Sequence, residues 1–332
     1  MIVHICCSVD SWYFLERIKE KYPNERLIGF FYNPNIFPIA EYKTRLIDAK
    51  RCCERLGIWF VEGEYDDQNW LKRIEGLENE PERGIRCDLC FDLRMEKTAE
   101  CAVQNGETLF TTTLLMSPKK KLGKLQDAMQ RAARRYSIGY VFEDFRKNGG
   151  TQAQFALARQ MGAYFQDYCG CAFALAKERL TQNRAPHELS SPIDRAPSAS
   201  ERRLEIYSRR HKMEKEGARA VIVKTRFLNY RIFYGTLMDE TGEAIPCEIA
   251  PYSAGKLDFL ATLAPLSASA AFCVQKPLFV IAGEYADARK ALGLSPFDLT
   301  PIFIVQSLPS GRVRVRLNAA VWEDVEEKLI VQ

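Results

Sequence analysis

The chain has 332 residues, a net charge of +4 and a hydrophobic content of 47%, which is enough for one large domain or two ordinary ones. It contains no run of about 18 apolar residues, so we expect no membrane span. Its start, MIVHICC, lacks the basic and apolar stretches of a signal peptide. We therefore expect a cytoplasmic protein whose eleven cysteines do not form a disulfide framework.

The first 180 residues alternate strands and helices, which predicts an α/β fold with a mostly parallel sheet and helices on both faces. The predicted strands cover residues 1–5, 27–32, 58–61, 108–115 and 140–143, and the predicted helices cover 11–22, 39–56 and 91–103. Gly57 is a natural stop for the second helix. Such sheets bind ligands outside the carboxyl ends of their strands, so we expect the segments that follow the strands to meet at one edge.

The composition changes near residue 182, where three prolines stand among Ser and Asn. This pattern predicts a first domain over 1–182, a linker over 183–200 and an α+β accessory domain of unknown role over 201–332. The accessory domain has predicted strands at 220–225, 230–238, 244–249, 278–282, 302–305 and 313–317, with predicted helices at 201–215, 285–292 and 319–327.

Six cysteines form three tight clusters within the first domain, namely Cys6-Cys7, Cys87 with Cys90, and Cys169 with Cys171. Thiolates are soft ligands that favour iron–sulfur clusters, zinc or copper. Adjacent residues on an extended chain point in opposite directions, so we expect Cys6 and Cys7 to serve different centres. The remaining five, Cys52, Cys53, Cys101, Cys247 and Cys273, fit ordinary helix or strand patterns and are interpreted as small core residues.

Two further interpretations of these residues stay open. The four thiols of the second and third clusters have the donor set of a structural zinc site, which would make the chain a zinc-stabilised RNA-binding module. The segment Ser8-Val9-Asp10-Ser11 is similar to the Ser-Gly-Gly-x-Asp-Ser loop of pyrophosphatase-type ATP enzymes that activate tRNA bases, although its glycines are missing. It allows an ATP-dependent tRNA-modifying enzyme of the thiolase type. The C-x-x-C pair follows a loop rather than a predicted helix start, which disfavours a thioredoxin-like role.

Several polar residues are candidates for substrate binding. Guanidinium and ammonium groups suit phosphate oxygens, and an aromatic ring with an amide suits a polar ring system. The candidates are Tyr32, Asn33, Arg45, Arg94, Arg146 and Lys147. Residues 117–136 carry seven Lys or Arg against one acid, and residues 201–231 carry ten against four, which is compatible with RNA as the partner.

Six separated motifs resemble one known family in order and spacing. The motifs are HICCSVD at 4–10, FYNPNIFPIAEYKTR at 31–45, RCDLCFDLR at 86–94, TTTLLMSP at 111–118, DFRKNGG at 144–150 and YCGC at 168–171. They resemble the cobalamin-independent epoxyqueuosine reductases, the QueH family, over about residues 1–180. The residues beyond about 183 depart from the compact members of that family.

This resemblance implies reduction of epoxyqueuosine to queuosine at the wobble position of tRNA, with an external electron donor and no cobalamin. It implies a cysteine-bound [4Fe–4S] cluster and an adjacent mononuclear metal, iron, in a fold like that of the HUP and pyrophosphatase-loop enzymes. The implied metal ligands are Cys6, Cys7, Cys87, Cys90, Cys169, Cys171 and Asp10, with no assignment of cysteines to either centre. Removal of the epoxide oxygen as water also needs protons, for which Asp144 and Tyr168 are the predicted donors beside metal-bound water, with Asp10 as a further catalytic residue.

Overall fold

A computed structural model describes residues 1–166, 168–181, 199–250, 253–295 and 298–331. Contacts among these residues divide the chain into two compact units. The first contains 1–166, 168–181, 199–223 and 328–331, and the second contains 224–250, 253–295 and 298–327. No helix in these ranges is long and apolar enough to cross a membrane.

The first unit is built around a parallel sheet. Its strands are β1 (Ile2–His4), β2 (Ile28–Phe31), β3 (Trp59–Glu62), β4 (Leu109–Thr112) and β5 (Gly139–Tyr140). Its helices are α1 (Ser8–Lys21), α2 (Ile39–Leu56), α3 (Asp67–Arg73), α4 (Ile85–Gln104), α5 (Leu122–Tyr136), α6 (Gly150–Gln160), α7 (Ala172–Thr181) and α8 (Ala199–Lys215), with a 3₁₀ turn at Thr113–Met116.

The sheet has five strands in the order β3-β2-β1-β4-β5, and every one of these pairings is parallel. The chain therefore moves outward from β1 to β3 and returns to the other side of β1 at β4. Because βαβ crossovers are right-handed, this reversal places α1 and α2 on one face and α4 and α5 on the other. The predicted parallel α/β sheet is confirmed.

The helices that flank the sheet have one apolar face each. Phe14, Leu15 and Ile18 of α1 are fully buried, as the helical spacing of these residues predicts. Gly57 follows α2 in the left-handed conformation, with φ of +66°, and its N–H bonds to the carbonyl of Glu54, so the predicted helix stop is confirmed.

Several predicted boundaries were wrong in ways that matter for the site. Helix α1 begins at Ser8 rather than 11, directly after the Cys6-Cys7 pair. Helix α4 begins at Ile85 rather than 91, so the C-x-x-C pair lies in its first turns and not in a loop. The predicted strand over 108–115 ends at Thr112 and continues as the 3₁₀ turn.

Helix α8 lies with the first unit, packed against α2, although the sequence placed it at the start of the accessory domain. Arg210 of α8 bonds to the fully buried carboxylate of Asp48, and Nε of Arg51 lies 2.6 Å from Glu214. Of the predicted linker over 183–200, only 199 and 200 are among the described residues, and they begin α8. The domain boundaries as predicted from composition thus stay a prediction.

The elements after residue 217 form a mixed sheet of eight strands, with one short helix among the described residues. The elements are β6 (Ala220–Met238), β7 (Ala244–Ile245), β8 (Cys247–Ile249), β9 (Lys256–Ser267), β10 (Ala270–Cys273), β11 (Phe279–Ala282), α9 (Ala288–Ala291), β12 (Ile302–Val305) and β13 (Arg312–Val331). Their order is β7-β6-β13-β9-β10-β11-β12-β8. A Cβ at Gly235 in β6 would collide with Ile249 of β8. Strands β6 and β8 lie near opposite ends of the strand order, so this sheet is curved strongly enough for them to pack against each other.

Two expectations for this region were wrong. The helix predicted over 319–327 is part of β13, whose strand pairing overrides the helical preference of its Glu-rich sequence. Strands β9 and β10 were not predicted, because the Leu- and Ala-rich stretch LDFLATLAPLS has little β propensity. Pro265 in β9 lies where the register with β10 shifts, a position that tolerates proline.

Candidate metal centre and substrate cavity

A cavity of about 210 Å³ opens at the carboxyl edge of the parallel sheet. Its walls include the segments that follow β1, β2 and β4, and the strand order reverses between β1 and β4. Doubly wound sheets bind their ligands at this switch point. The predicted site residues that line the cavity are Cys6, Asp10, Asn33, Arg45, Arg94, Tyr168 and Cys169.

The first group of ligands lies at the start of α1. The donor atoms of Cys6, Cys7 and Asp10 all lie within 4.8 Å of one another. The two sulfur atoms are 3.7 Å apart, and Cys6 Sγ is 3.5 Å from Asp10 Oδ2. The expectation that Cys6 and Cys7 point apart was therefore wrong, because the chain turns from strand into helix at Cys7 and brings both thiols to one side.

Neighbouring polar groups hold this first group in place. Thr113 Oγ1 accepts the backbone N–H of Cys6 at 3.3 Å and lies 3.6 Å from its sulfur. Gln154 of α6 donates to Asp10 Oδ1 at 2.6 Å. Burial raises the pKa of Asp10 to about 6, although hydrogen bonds with Cys6, Cys7 and Gln154 and the charge of Lys120 oppose the shift. A bound cation would favour the ionised carboxylate.

The second group of thiols comes from α4 and the YCGC segment. Cys87 and Cys90 are three residues apart and share one face of α4. Cys169 and Cys171 flank Gly170, whose φ of +113° favours glycine, and a Cβ there would lie 2.9 Å from Ile36. Burial raises the pKa of Cys171 to about 11, and the charges of Cys169 and Cys90 add to the shift, so thiols of the two pairs interact electrostatically.

The spacing of the four thiols differs from that of the first group. No three of them come as close as 4.8 Å to one another, whereas Cys6, Cys7 and Asp10 do. A tetrahedral zinc ion with Zn–S bonds of about 2.3 Å needs sulfur atoms about 3.8 Å apart. A cluster accepts thiolates that are farther apart, because each binds a different iron atom. The four thiols thus lack the close spacing that one tetrahedral zinc ion requires.

Two buried cations face the four thiols. Arg94 is 4% exposed, forms no ion pair with a carboxylate among the described residues, and donates from Nε to the carbonyl of Cys90 at 3.0 Å. Lys120 Nζ lies 3.1 Å from Cys169 Sγ. Burial alone raises the pKa of Cys169, but the charges of Lys120 and Arg94 outweigh burial and lower it. These two cations therefore stabilise the thiolate form of Cys169.

Arg45 positions the YCGC segment. Its Nε donates to Glu41 at 2.7 Å, and its two terminal nitrogens donate to the carbonyls of Tyr168 and Cys169 at 3.0 and 3.1 Å. Its guanidinium is thus engaged within the protein, and a role as a phosphate clamp stays a prediction.

The other predicted residues have mixed positions. Tyr32 is buried but does not line the cavity, and the Tyr168 hydroxyl donates to the carbonyl of Phe37. Asp144 and Arg146 pair at 3.1 Å outside the cavity lining, and Lys147 is exposed. Arg146 also donates to the carbonyls of Ser117 at 3.1 Å and Lys120 at 3.3 Å, so this pair holds the loop that carries Lys120.

Sequence reasoning missed four residues at the site. Lys120 was one of a run of lysines, and nothing in the run distinguishes the buried member. Gln154 is a fully buried polar residue on α6, a helix that was not predicted. Asn35 lines the cavity with a buried, unpaired Oδ1, among the residues that the structure describes. Trp70 of α3 lies beside Cys90, and a tryptophan in an unpredicted helix gives no such signal.

Fold and site together define a doubly wound α/β protein with a cavity at its switch point that Cys6 and Cys169 line. Residues 1–177 match the family model described as epoxyqueuosine reductase QueH. Epoxyqueuosine reductase QueH of Helicobacter pylori is 35% identical over all of this chain and 96% of its own length. That of Histophilus somni is 39% identical over 53% of this chain and 72% of its own length. The chain belongs to the epoxyqueuosine reductase QueH family.

The Helicobacter pylori relative also aligns with the residues beyond 183, so the extension that departs from compact members is shared with another member of the family. Among solved structures, the chain is similar to the U34-tRNA thiolase NcsA from Methanococcus maripaludis with its [4Fe-4S] cluster. The TM-score is 0.36 with 14% identity, covering 64% of this chain and 73% of the other, which is too weak to establish a shared fold.

Proposed function

We propose that this chain reduces epoxyqueuosine to queuosine at the wobble position of tRNA, in the cytoplasm. The carrying observation is that, in a chain of this family, Cys6, Asp10 and Cys169 line one cavity, and Cys7 lies beside Cys6 and Asp10. Both carbon–oxygen bonds of the epoxide break, a carbon–carbon double bond forms, and the oxygen leaves as water. The reaction consumes two electrons and two protons, and an external reductant provides the electrons.

We assign the two groups of ligands to two centres. Cys87, Cys90, Cys169 and Cys171 hold a [4Fe–4S] cluster, and Cys6, Cys7 and Asp10 hold a mononuclear iron. The spacing of the sulfur atoms supports this division, as does the presence of two buried cations on the four-thiol side. When bound, the cluster supplies electrons one at a time and the single ion supplies a Lewis acid.

The chain's own residues orient the modified base. The buried side-chain amide oxygens of Asn33 and Asn35 have no hydrogen-bond partner among the described residues, and both side chains line the cavity. Asn33 Nδ2 donates to the carbonyl of Ile5 at 2.8 Å, which fixes the orientation of that amide. These oxygens accept hydrogen bonds from hydroxyl or amino groups of the base once it has left the anticodon stack.

The predicted proton donors differ in their support. Tyr168 lines the cavity, but its hydroxyl already donates to Phe37, and Asp144 is paired with Arg146 away from the cavity. Two titratable side chains that line the cavity are close to the ligand groups. Asp10 belongs to the first group, and Lys120 lies beside Cys169, one of the four thiols. Asp144 and Tyr168 stay predictions.

The strand order supports a fold like that of the HUP and pyrophosphatase-loop enzymes, with the ATP loop rebuilt for metal. The hydroxyls of Ser8 and Ser11 are fully buried and donate to Asp48 and to the carbonyl of Cys7, so they do not face the cavity as phosphate ligands. The thiolase-like, ATP-dependent alternative therefore has no support from this loop.

Binding of tRNA uses the cations that the protein leaves unpaired. Within α5, Lys124, Arg131 and Arg135 are neutralised by acids of α4. Lys119 and Lys121 beside the cavity are exposed and form no ion pair among the described residues, so they are available to the phosphate backbone.

The test is anaerobic reconstitution with iron and sulfide, followed by reaction with an RNA hairpin that carries epoxyqueuosine and a chemical reductant. We expect a brown protein that forms queuosine without ATP. A colourless protein that holds only zinc, or turnover that requires ATP, would contradict the proposal.

A further inference from the structure

Two of the four thiols assigned to the cluster have an N–H donor, and the following inference rests on that assignment. Lys120 Nζ lies 3.1 Å from Cys169 Sγ, and the backbone N–H of Arg83 lies 3.2 Å from Cys87 Sγ. The side chain of Trp70 is a neighbour of Cys90.

Trp70 is only 4% exposed, and its indole Nε1 has no hydrogen-bond partner among the residues that the structure describes. An orphaned, buried N–H is costly unless it finds an acceptor. The neighbouring sulfur of Cys90 is the acceptor that this N–H would gain when Cys90 is a metal-bound thiolate. The ring itself packs against Phe173, with centroids 6.1 Å apart, so its orientation does not depend on the N–H.

Lys120 adds a full positive charge at the same place. Its side chain is 10% exposed, and its nearest carboxylate, Glu82, is 3.8 Å away and 39% exposed. Attraction to Glu82 is therefore screened by solvent, whereas attraction to the Cys169 sulfur acts inside the protein. Arg146 fixes the loop by donating to the carbonyl of Lys120, and Asp144 in turn holds Arg146. The DFRKNGG motif thus serves to position Lys120.

We propose that Lys120 and Trp70 are positioning residues that raise the reduction potential of the cluster by donating to the sulfur atoms of Cys169 and Cys90. A [4Fe–4S] centre with four thiolates is negatively charged, and the incoming electron makes it more so. Hydrogen bonds and positive charge at the sulfurs stabilise the reduced form more than the oxidised form. Without them, the external donor would reduce the cluster less readily.

The test compares reduction potentials of reconstituted full-length proteins by redox titration, followed by electron paramagnetic resonance. We expect Lys120→Met to shift the potential to a more negative value, Trp70→Phe to shift it less in the same direction, and Lys120→Arg to retain most of the wild-type value. Lys121→Met is the matched control, since Lys121 is exposed and adjacent in sequence. We expect it to leave the potential unchanged.

Equal potentials in wild type, Lys120→Met and Trp70→Phe would overturn the inference, and so would an equal shift in Lys121→Met. If the Lys120→Met protein binds no cluster, the reduction potential of Trp70→Phe decides whether the inference holds. The phenyl ring of this variant keeps the packing, while the N–H donor is lost. Failure of the proposed function is distinguishable, because the wild-type protein would then bind no cluster or form no queuosine.

Discussion

Individual side chains at this site act mainly through charge and hydrogen bonding to sulfur. Arg94 is buried among the thiols without a carboxylate partner in the described part of the chain, which is costly unless the thiols are anionic. Cys87, Cys90 and Cys169 all contribute to the electrostatic stabilisation of this guanidinium. Arg94, which a sequence motif presents as a substrate clamp, is therefore placed as a counter-ion for these thiols.

Single replacements of ligand residues should distinguish the two proposed metal centres. Cys87→Ala removes one of four cluster thiolates, so we expect loss of the visible absorption, most iron and all turnover. Asp10→Ala should abolish turnover but keep the cluster spectrum, because Asp10 belongs to the other group. Metal analysis and visible spectra of the reconstituted variants give the answer.

Cys247→Ser, in the second unit, is the control and should keep wild-type iron and activity. Loss of the cluster spectrum in Asp10→Ala, or its retention in Cys87→Ala, would contradict the division of the ligands.

At the scale of elements, strand ends and helix starts bring the site together. Helix α1 begins immediately after Cys7, and α4 begins two residues before Cys87, so one cysteine pair precedes a helix and the other lies in the first turns of a helix. Helix α8 packs against α2 and stabilises it through two buried ion pairs, one between Arg210 and Asp48 and one between Arg51 and Glu214.

The α2–α8 contact should respond to pH. Although burial raises the pKa of Glu214, hydrogen bonds from Arg51 and the charges of Arg51 and Arg210 lower it below 4.5 overall. A carboxyl with a lowered folded-state pKa contributes stability above its unfolded value, and this contribution is lost as the pH falls through the folded value. We therefore expect Glu214→Gln to lower the melting temperature at pH 7 and to have a much smaller effect near pH 3.

Thermal unfolding of both proteins at the two pH values tests this, with the exposed Glu216→Gln as the control on the same segment. An equal loss at both pH values would show that Glu214 contributes through packing and not through its charge.

The elements also show how far the sequence could be interpreted. The alternation of strands and helices was enough to predict the parallel sheet. Ligands bind at the carboxyl ends of such strands, and this rule predicted one edge for the segments that carry or precede Cys6, Asn33 and Lys120. The mutual orientation of Cys6 and Cys7 was not accessible, because it depends on a helix start that a three-residue strand does not signal. The part of β13 where a helix was predicted, over 319–327, was beyond local propensity, since its neighbouring strand β6 is distant in sequence.

At the scale of the whole molecule, the extension beyond residue 183 contributes to the first unit as well as forming the second. A chain that ends at residue 182 loses α8 and leaves the buried Asp48 without Arg210. Breaking a buried ion pair costs about 3–5 kcal/mol. We expect the shortened chain to unfold at lower denaturant concentration than the full chain, as measured by urea titration.

Arg210→Leu in the full chain should reproduce much of that loss, whereas Arg209→Ala, exposed on the same helix, should not. Equal stability of the shortened and full chains would contradict the assignment of α8 to the first unit.

The most direct measurement of the central claim is the ratio of iron to acid-labile sulfide in anaerobically reconstituted wild-type protein, together with its zinc content. Four thiolates with a cluster, and Cys6, Cys7 and Asp10 with one ion, predict about five iron atoms and about four sulfide ions per chain. Zinc without sulfide, at about one ion per chain, would contradict the account.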